Sequence, residues 1–192
     1  MVIALKHYEQ ARLRNIAEMC PTGSILDIGY AHMPNPYFRN KTIVGLDLVQ
    51  PLTNCSYSEL IKGSAFELEK HVGGRTFDTI VIGEFIEHVK DPYNFLESLH
   101  KYLKPQGQLI LSTPNPVSWP VVIFEWLNSK VRFYTKNHLF YFAPRWVIRM
   151  LTVSQYKVQK VKGVGLWLPF IKLPCPVGLS YQVIYTAKKD VK

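Results

Sequence analysis

Long apolar runs are missing from this 192-residue sequence; none approaches the ~20 residues a helix needs to span a bilayer. Cysteine is scarce as well. Cys20, Cys55 and Cys175 are odd in number and widely scattered, which suits neither a disulfide framework nor a zinc site and points to a reducing cytoplasm. The opening stretch MVIALKHYEQARLRNIAEM lacks the basic start, long apolar core and cleavage site of a secretory leader. It reads instead as an amphipathic helix within residues 1–22. No repeat and no low-complexity tract interrupts the chain. Charge of one sign is in excess, with a formal net of +9, yet it builds no dense basic block. Such an excess suits nucleic acid, anionic lipid or phosphorylated substrates, and equally an ordinary solvated surface.

Apolar residues make up 47% of the chain and charged residues 19%, a globular rather than a disordered balance. The length favours one domain spanning 1–192. Short apolar runs recur at Ser24–Ile28, Thr42–Leu46, Phe77–Ile82 and 107–112, and continuous runs of this kind suit parallel strands buried on both faces. Helical spacing lies between them. It is clearest at 91–103, where Phe95, Leu96, Leu99, Tyr102 and Leu103 recur before the breaker Lys104-Pro105-Gln106-Gly107. Strand alternating with helix predicts a doubly wound α/β sheet. Two further runs, 156–161 and 180–187, read as an antiparallel pair flanking a proline-rich apolar insertion.

Ligands in such sheets bind at the carboxyl ends of the strands. The first strand ends in Asp27-Ile28-Gly29 and the second in Asp47. An acid at the second tip can hold ribose hydroxyls, though an ordinary loop aspartate fits as well. No G-x-G-x-x-G follows, because "GYAHMPNPYF" has one glycine and then bulky residues and prolines; a dinucleotide phosphate cradle is not expected. "IKGSAFEL" offers Gly63, Ser64 and Ala65, small side chains and backbone donors. The strand 77–82 delivers Glu84, Glu87 and His88, which in a helical turn share one face at i, i+3 and i+4.

Together these stretches resemble the class I S-adenosylmethionine-dependent methyltransferases. "ILDIGY" is similar to the family's first motif, "VGLDL" to its second, "GSAFEL" to its third. "FDTIVIGEFIEHVKDPYNFLESLHKYLKPQGQLILSTPNP" is similar to the fourth and fifth with their connecting helix. The resemblance runs from about residue 23 to 115, and more loosely to the end, and is greatest to the ubiquinone-biosynthesis type of small-molecule O-methyltransferase. It implies a Rossmann-like, seven-stranded, mostly parallel sheet with an antiparallel last strand and helices on both faces. It also implies S-adenosylmethionine as cofactor. Asp27 and Gly29 would then face its methionine part, Asp47 its ribose, and Ser64, Ala65 and Phe66 its adenine, with Tyr30, Leu48 and Gly83 also among the cofactor-binding residues. The first motif departs from the family after Gly29, where Tyr30-Ala31-His32 replace the later glycines.

The same resemblance implies methyl transfer to a hydroxyl, with His88 and Glu84 as the catalytic pair. Similar E-x-x-E-H segments occur in ubiquinone-type O-methyltransferases and in small-RNA 3′-terminal 2′-O-methyltransferases, where the segment is linked to a divalent metal. Glu84, Glu87, His88 and His138 are the candidate ligands here, for Mg²⁺, Mn²⁺, Fe²⁺ or Zn²⁺. The alternatives are His88 as a base without metal, and a structural role for the group. Aromatic, proline-broken segments at 117–142 and 163–179 are the expected lid, lining an acceptor pocket or meeting a membrane interface. The acceptor is expected to be a small molecule, lipid or glycan precursor, and the protein cytoplasmic, with peripheral membrane contact open. An RNA 2′-O-methyltransferase and a non-catalytic binding protein that retains the fold are the alternatives.

Overall fold

The computed structural model describes residues 7–38, 41–51, 54–127, 138–166 and 176–190. Helix α1 (His7–Met19) precedes strand β1 (Ser24–Ile28), followed by β2 (Thr42–Asp47) and β3 (Glu59–Lys62). Then come α2 (Leu68–Val72), β4 (Phe77–Gly83), α3 (Pro92–Ser98), β5 (Leu103–Pro114) and α4 (Trp119–Leu127). Helix α5 (Pro144–Val153) and strands β6 (Tyr156–Leu166) and β7 (Ser180–Lys189) complete the order. One sheet runs β3-β2-β1-β4-β5-β7-β6. Strands β1 to β5 pair in parallel, and β7 lies antiparallel between β5 and β6.

The apolar runs have their explanation in this layering. Alternate residues of each central strand serve opposite faces, so Ile80 and Ile82 join one buried cluster while Val81 joins the other. The first cluster packs α2, α3 and α5 on the sheet, with Val147, Met150 and Leu151 supplied by α5. The second holds Ile16 and Ala17 of α1, and Cys20 just after it, against Ile25, Ile43, Ile110 and Ile184. Pro144 occupies the first turn of α5, where its missing N–H costs nothing.

Two boundaries differ from the sequence reading. The helix expected over 91–103 stops at Ser98 and tightens into a 3₁₀ turn, Leu99–Tyr102, before Leu103 pairs with Phe77 as the first residue of β5. Residues 163–166, expected in the lid, continue β6, with Gly163 opposite Val183 and Leu166 opposite Ser180. The remainder of that segment up to 175, and 128–137 of the other lid segment with its Phe133 and Tyr134, lie outside the described residues. Strand β3 is an addition to the sequence reading; its apolar residues are Leu60 and Ile61 alone, between Glu59 and Lys62, too short a run to mark a buried strand.

At the amino end of the sheet, Asp78 accepts the backbone N–H and hydroxyl of Ser24 and the ammonium of Lys104 at 2.7–2.9 Å. Those donors, Lys104 foremost, hold its carboxyl down at about 2. The loops at the opposite, carboxyl end are thereby left to build a site on a fixed frame.

Candidate functional site

The strand tips converge. After β1 the chain turns at Gly29, whose φ of +77° is in the left-handed region. Its N–H reaches the carbonyl of Leu46 at 2.9 Å, and a Cβ there would stand 2.7 Å from the ring of Phe85. Only glycine fits both constraints. On either side of this point a cavity opens.

The smaller cavity, about 210 Å³, is bordered by Asp47, Leu48, Ser64, Ala65, Phe66 and Phe85. Each oxygen of Asp47 already holds one backbone N–H, that of Ala31 at 2.9 Å and that of Val49 at 3.2 Å. One lone pair on each oxygen remains for a further donor. Ser64 accepts the N–H of Phe66 at 3.2 Å and so caps the turn 65–67, which fixes the small-residue edge of the cavity. Phe66 is exposed and meets Phe95 edge-on at 5.6 Å. An apolar ring system with a diol at one end would match this lining.

The larger cavity, about 500 Å³, is bordered by Arg12, Asp27, Tyr30, Glu84, His138 and Gln182. Asp27 is buried, and Tyr57 donates its hydroxyl to Oδ2 at 2.5 Å. Burial lifts the Asp27 carboxyl to about 7, while the Tyr57 bond and the Arg12 charge pull it down and Asp47 pushes it up. Tyr30, in place of a second motif glycine, is buried and packs tilted against Tyr57 with ring centres 5.1 Å apart. Gly45 of β2 makes room for both rings, since a Cβ there would come within 2.8 Å of each. The departure from the family pattern is therefore packed into the wall of the site.

Arg12 was not found from sequence. It projects from the inner face of α1 and is buried, with Nη1 3.4 Å from the Ser112 hydroxyl and Nη2 3.3 Å from the Met33 sulfur. Its Nε has no hydrogen-bond partner, and no carboxylate lies within ion-pair distance of it among the described residues. A buried guanidinium so weakly satisfied on a cavity wall is suited to an anionic ligand group. Its sequence signal was an arginine between apolar residues Ala11, Leu13 and Ile16 on one helix face. Gly83 borders this cavity too; a Cβ on it would stand 2.8 Å from Nη1 of Arg12.

Beyond Gly83 the structure separates the residues that sequence spacing had grouped. Glu84 is not helical; its φ is +54°, a rare conformation for a side chain of this kind. Its N–H continues the ladder to Ser112 at 3.0 Å, and its carboxylate accepts from Ser112 at 3.1 Å and Gln182 at 2.9 Å. The 3₁₀ turn begins only at Ile86 and ends at His88. Potential ligand atoms of Glu87, His88 and His138 lie within 4.8 Å of one another, and Glu84 is not in that group. The reason is local: the left-handed residue at 84 turns its side chain toward β5 and β7, away from the turn that follows.

His138 is delivered by backbone bonds. The carbonyl of Glu87 accepts the N–H of Leu139 at 2.9 Å and of Phe140 at 3.2 Å. That brings the His138 ring to 4.7 Å from His88 and 5.2 Å from Tyr141. The Glu87 carboxyl is buried with no hydrogen-bond partner for either oxygen, and Nδ1 of His138 is likewise buried without one. Burial raises the Glu87 carboxyl well above its ordinary range, and the Glu84 charge adds to the shift. Burial lowers His138, and the neighbouring His88 lowers it further. One carboxylate without partners for its oxygens and two imidazoles 4.7 Å apart form a donor set that a divalent cation would satisfy.

The comparisons with known proteins agree with this architecture. A family model described as a methyltransferase domain matches residues 5–161. The ubiquinone biosynthesis O-methyltransferase of Rickettsia akari is 26% identical over 101 residues, half of this chain and 40% of that protein. A small RNA 2′-O-methyltransferase of Tetrahymena thermophila is 31% identical over 112 residues, 55% of this chain and 26% of that one. The matching segments thus cover less than half the length of either relative. Among solved structures, a SAM-dependent methyltransferase from Archaeoglobus fulgidus superposes with a TM-score of 0.68 at 19% identity, covering 94% of this chain and 92% of that one.

Proposed function

This chain belongs to the methyltransferase domain family, and we propose that it uses S-adenosylmethionine to methylate a hydroxyl of a small molecule, lipid or glycan precursor. The observation that carries the reading is the pair of cavities meeting at Gly29, with Asp27 and Asp47 at the tips of adjacent strands. When bound, the cofactor supplies an electrophilic methyl group on a sulfonium. Asp47 accepts hydrogen bonds from the ribose hydroxyls through its remaining lone pairs. Ser64, Ala65 and Phe66 border the adenine, with Leu48 and Phe85 closing its faces. Arg12 and Asp27, opposite charges in one buried wall, hold the carboxylate and ammonium of the methionine part. Gly29 lets the backbone approach between them.

The acceptor occupies the rest of the larger cavity, against Glu84, His138 and Gln182. Forming the new O–C bond as the S–C bond breaks leaves the hydroxyl proton to be taken up; His88, which borders the smaller cavity with its ring 4.7 Å from that of His138, is the base where no metal is held. Glu84, locked by Ser112 and Gln182, positions the wall on which the acceptor rests. Water exclusion and alignment supply much of the rate for such a displacement. Glu87, His88 and His138 are the residues that would hold a divalent cation, whose chemistry there would be to acidify the acceptor hydroxyl.

A second reading has one specific support, the Tetrahymena small RNA 2′-O-methyltransferase segment at 31% identity. RNA as acceptor would make binding fall steeply with salt. Calorimetric titration with S-adenosylmethionine, followed by transfer of a labelled methyl group to a panel of phenols, lipids, glycan precursors and RNA oligonucleotides, tests both readings. Failure to bind the cofactor would leave a non-catalytic protein that has kept the fold.

A further inference from the structure

Helix α4 presents an exposed apolar face. Trp119, Val122, Ile123, Trp126 and Leu127 recur at helical spacing and are all exposed, Trp119 to 66% and Trp126 to 82%. Single exposed apolar residues are ordinary; five on one helix face, two of them tryptophan, are not. The face adjoins the mouth of the larger cavity. The end of β5 (Pro114) and the start of β7 (Tyr181) line that cavity, and α4 follows the one while the 3₁₀ turn Val177–Leu179 precedes the other. Asn115 ties the two segments together, donating to the carbonyls of Val177 at 2.7 Å and Ser180 at 3.0 Å. Exposed Val117 and Leu179 extend the apolar surface on either side.

Charge singles out the same part of the chain. From Trp126 to Lys189 the sequence has eleven Lys and Arg residues and no Asp or Glu, so the positive excess of the whole protein resides there. Arg145 and Arg149 of α5, flanking Trp146, are exposed just past His138. No helix among the described residues is long and apolar enough to cross a membrane. A surface that is apolar with tryptophans at one cavity mouth, on a protein of net positive charge whose exposed Arg145 and Arg149 lie beside Trp146, is complementary to an anionic lipid headgroup layer over hydrocarbon.

We propose that the α4 face docks this protein on an anionic membrane surface, with the mouth of the larger cavity turned toward the lipid. Trp119 and Trp126 enter the headgroup boundary, and exposed cations, Arg145 and Arg149 among them, supply the attraction that brings them there. A nucleic acid would use the charge but leave the aliphatic part of the face, Val122, Ile123 and Leu127, uncovered. The docking is independent of methyl transfer, so each can fail without the other.

Co-sedimentation with vesicles of phosphatidylcholine, alone or mixed equally with phosphatidylglycerol, tests it. The protein is expected to bind the mixed vesicles, to bind phosphatidylcholine weakly, and to dissociate as salt rises. Ile123→Ser with Trp126→Ser should weaken partitioning at least ~tenfold while leaving the S-adenosylmethionine affinity unchanged and the melting temperature close to native, because Trp126 is largely and Ile123 half exposed. Arg145→Gln with Arg149→Gln should weaken binding to the mixed vesicles only. No association, or association that the first pair of changes leaves intact, would overturn the proposal. Two other results would also sink it. One is a dimer in lipid-free sedimentation that the first pair dissolves, which would assign the face to a second copy. The other is single-stranded RNA bound in preference to vesicles and lost with the same pair.

Discussion

Tyr57 donates its hydroxyl to Asp27 at 2.5 Å while accepting the N–H of Asn35 at 2.9 Å, so the segment after β2 is bolted to the tip of β1 through one phenol. The bond stabilises the charged form of a carboxyl that burial otherwise disfavours, and burial wins, leaving Asp27 at about 7. The unfolded chain releases that proton near ~3.9. Between the two values the folded state holds the extra proton, so its contribution is present below ~4 and is lost as pH rises through 7.

Asp27→Asn removes that dependence while keeping an oxygen for Tyr57. Denaturant unfolding should show the native protein losing on the order of a few kcal/mol more than the variant between pH 5 and 8. Parallel pH profiles would mean that Asp27 ionises as an ordinary surface carboxyl. Cofactor affinity should move the other way, rising with pH as the carboxylate forms to meet a cationic ligand, and Asp27→Asn should flatten that rise.

The layered sheet was legible in the chain because its central strands are buried on both faces and so read as unbroken apolar runs. The strand tips followed, since Asp27, Gly29 and Asp47 end such runs. What spacing alone misjudged was the grouping of Glu84 with Glu87 and His88. A helical turn starting at residue 84 would join the three, whereas the left-handed backbone there sends Glu84 to Ser112 and Gln182. Those partners lie 28 and 98 residues away, and no local pattern encodes them. Arg12 and Tyr57 escaped for the same reason: their roles depend on neighbours that only the fold supplies.

Asp47→Ala should weaken S-adenosylmethionine binding ~ten- to hundred-fold, the loss of hydrogen bonds to a charged acceptor. Part of that loss is indirect, because the N–H of Ala31 would lose its partner. Calorimetric titration measures it, and an unchanged dissociation constant would remove Asp47 from the cofactor site.

For the Glu87–His88–His138 group, a chelator should suppress methyl transfer while cofactor affinity stays within about twofold, and Mn²⁺ or Zn²⁺ should restore it. His138→Ala should abolish detectable metal binding in equilibrium dialysis, and Glu84→Gln should not, since Glu84 lies outside the group. Full activity in chelator with His88→Ala inactive would leave His88 as a base working alone. Activity that survives both would make the cluster a packing feature.

Arg12 offers the sharpest test of how the cofactor is oriented. Its guanidinium is buried on the cavity wall, its Nε is unpartnered, and Asp27, whose carboxyl it pulls down, lines the same cavity. If it receives the methionine carboxylate, a ligand that keeps the adenosine but lacks the amino-acid part should not notice its removal. The native protein should therefore bind S-adenosylmethionine more tightly than 5′-methylthioadenosine, and Arg12→Met should erase most of that preference. The expected change is ~ten- to hundred-fold for S-adenosylmethionine, the worth of one charge-assisted contact, against less than about twofold for methylthioadenosine. Methionine keeps much of the volume against Ile16 and Gly83, so a melting temperature near that of the native protein is the control for packing. Equal losses for the two ligands would show that Arg12 shapes the wall through Ser112 and Met33 instead of touching the cofactor.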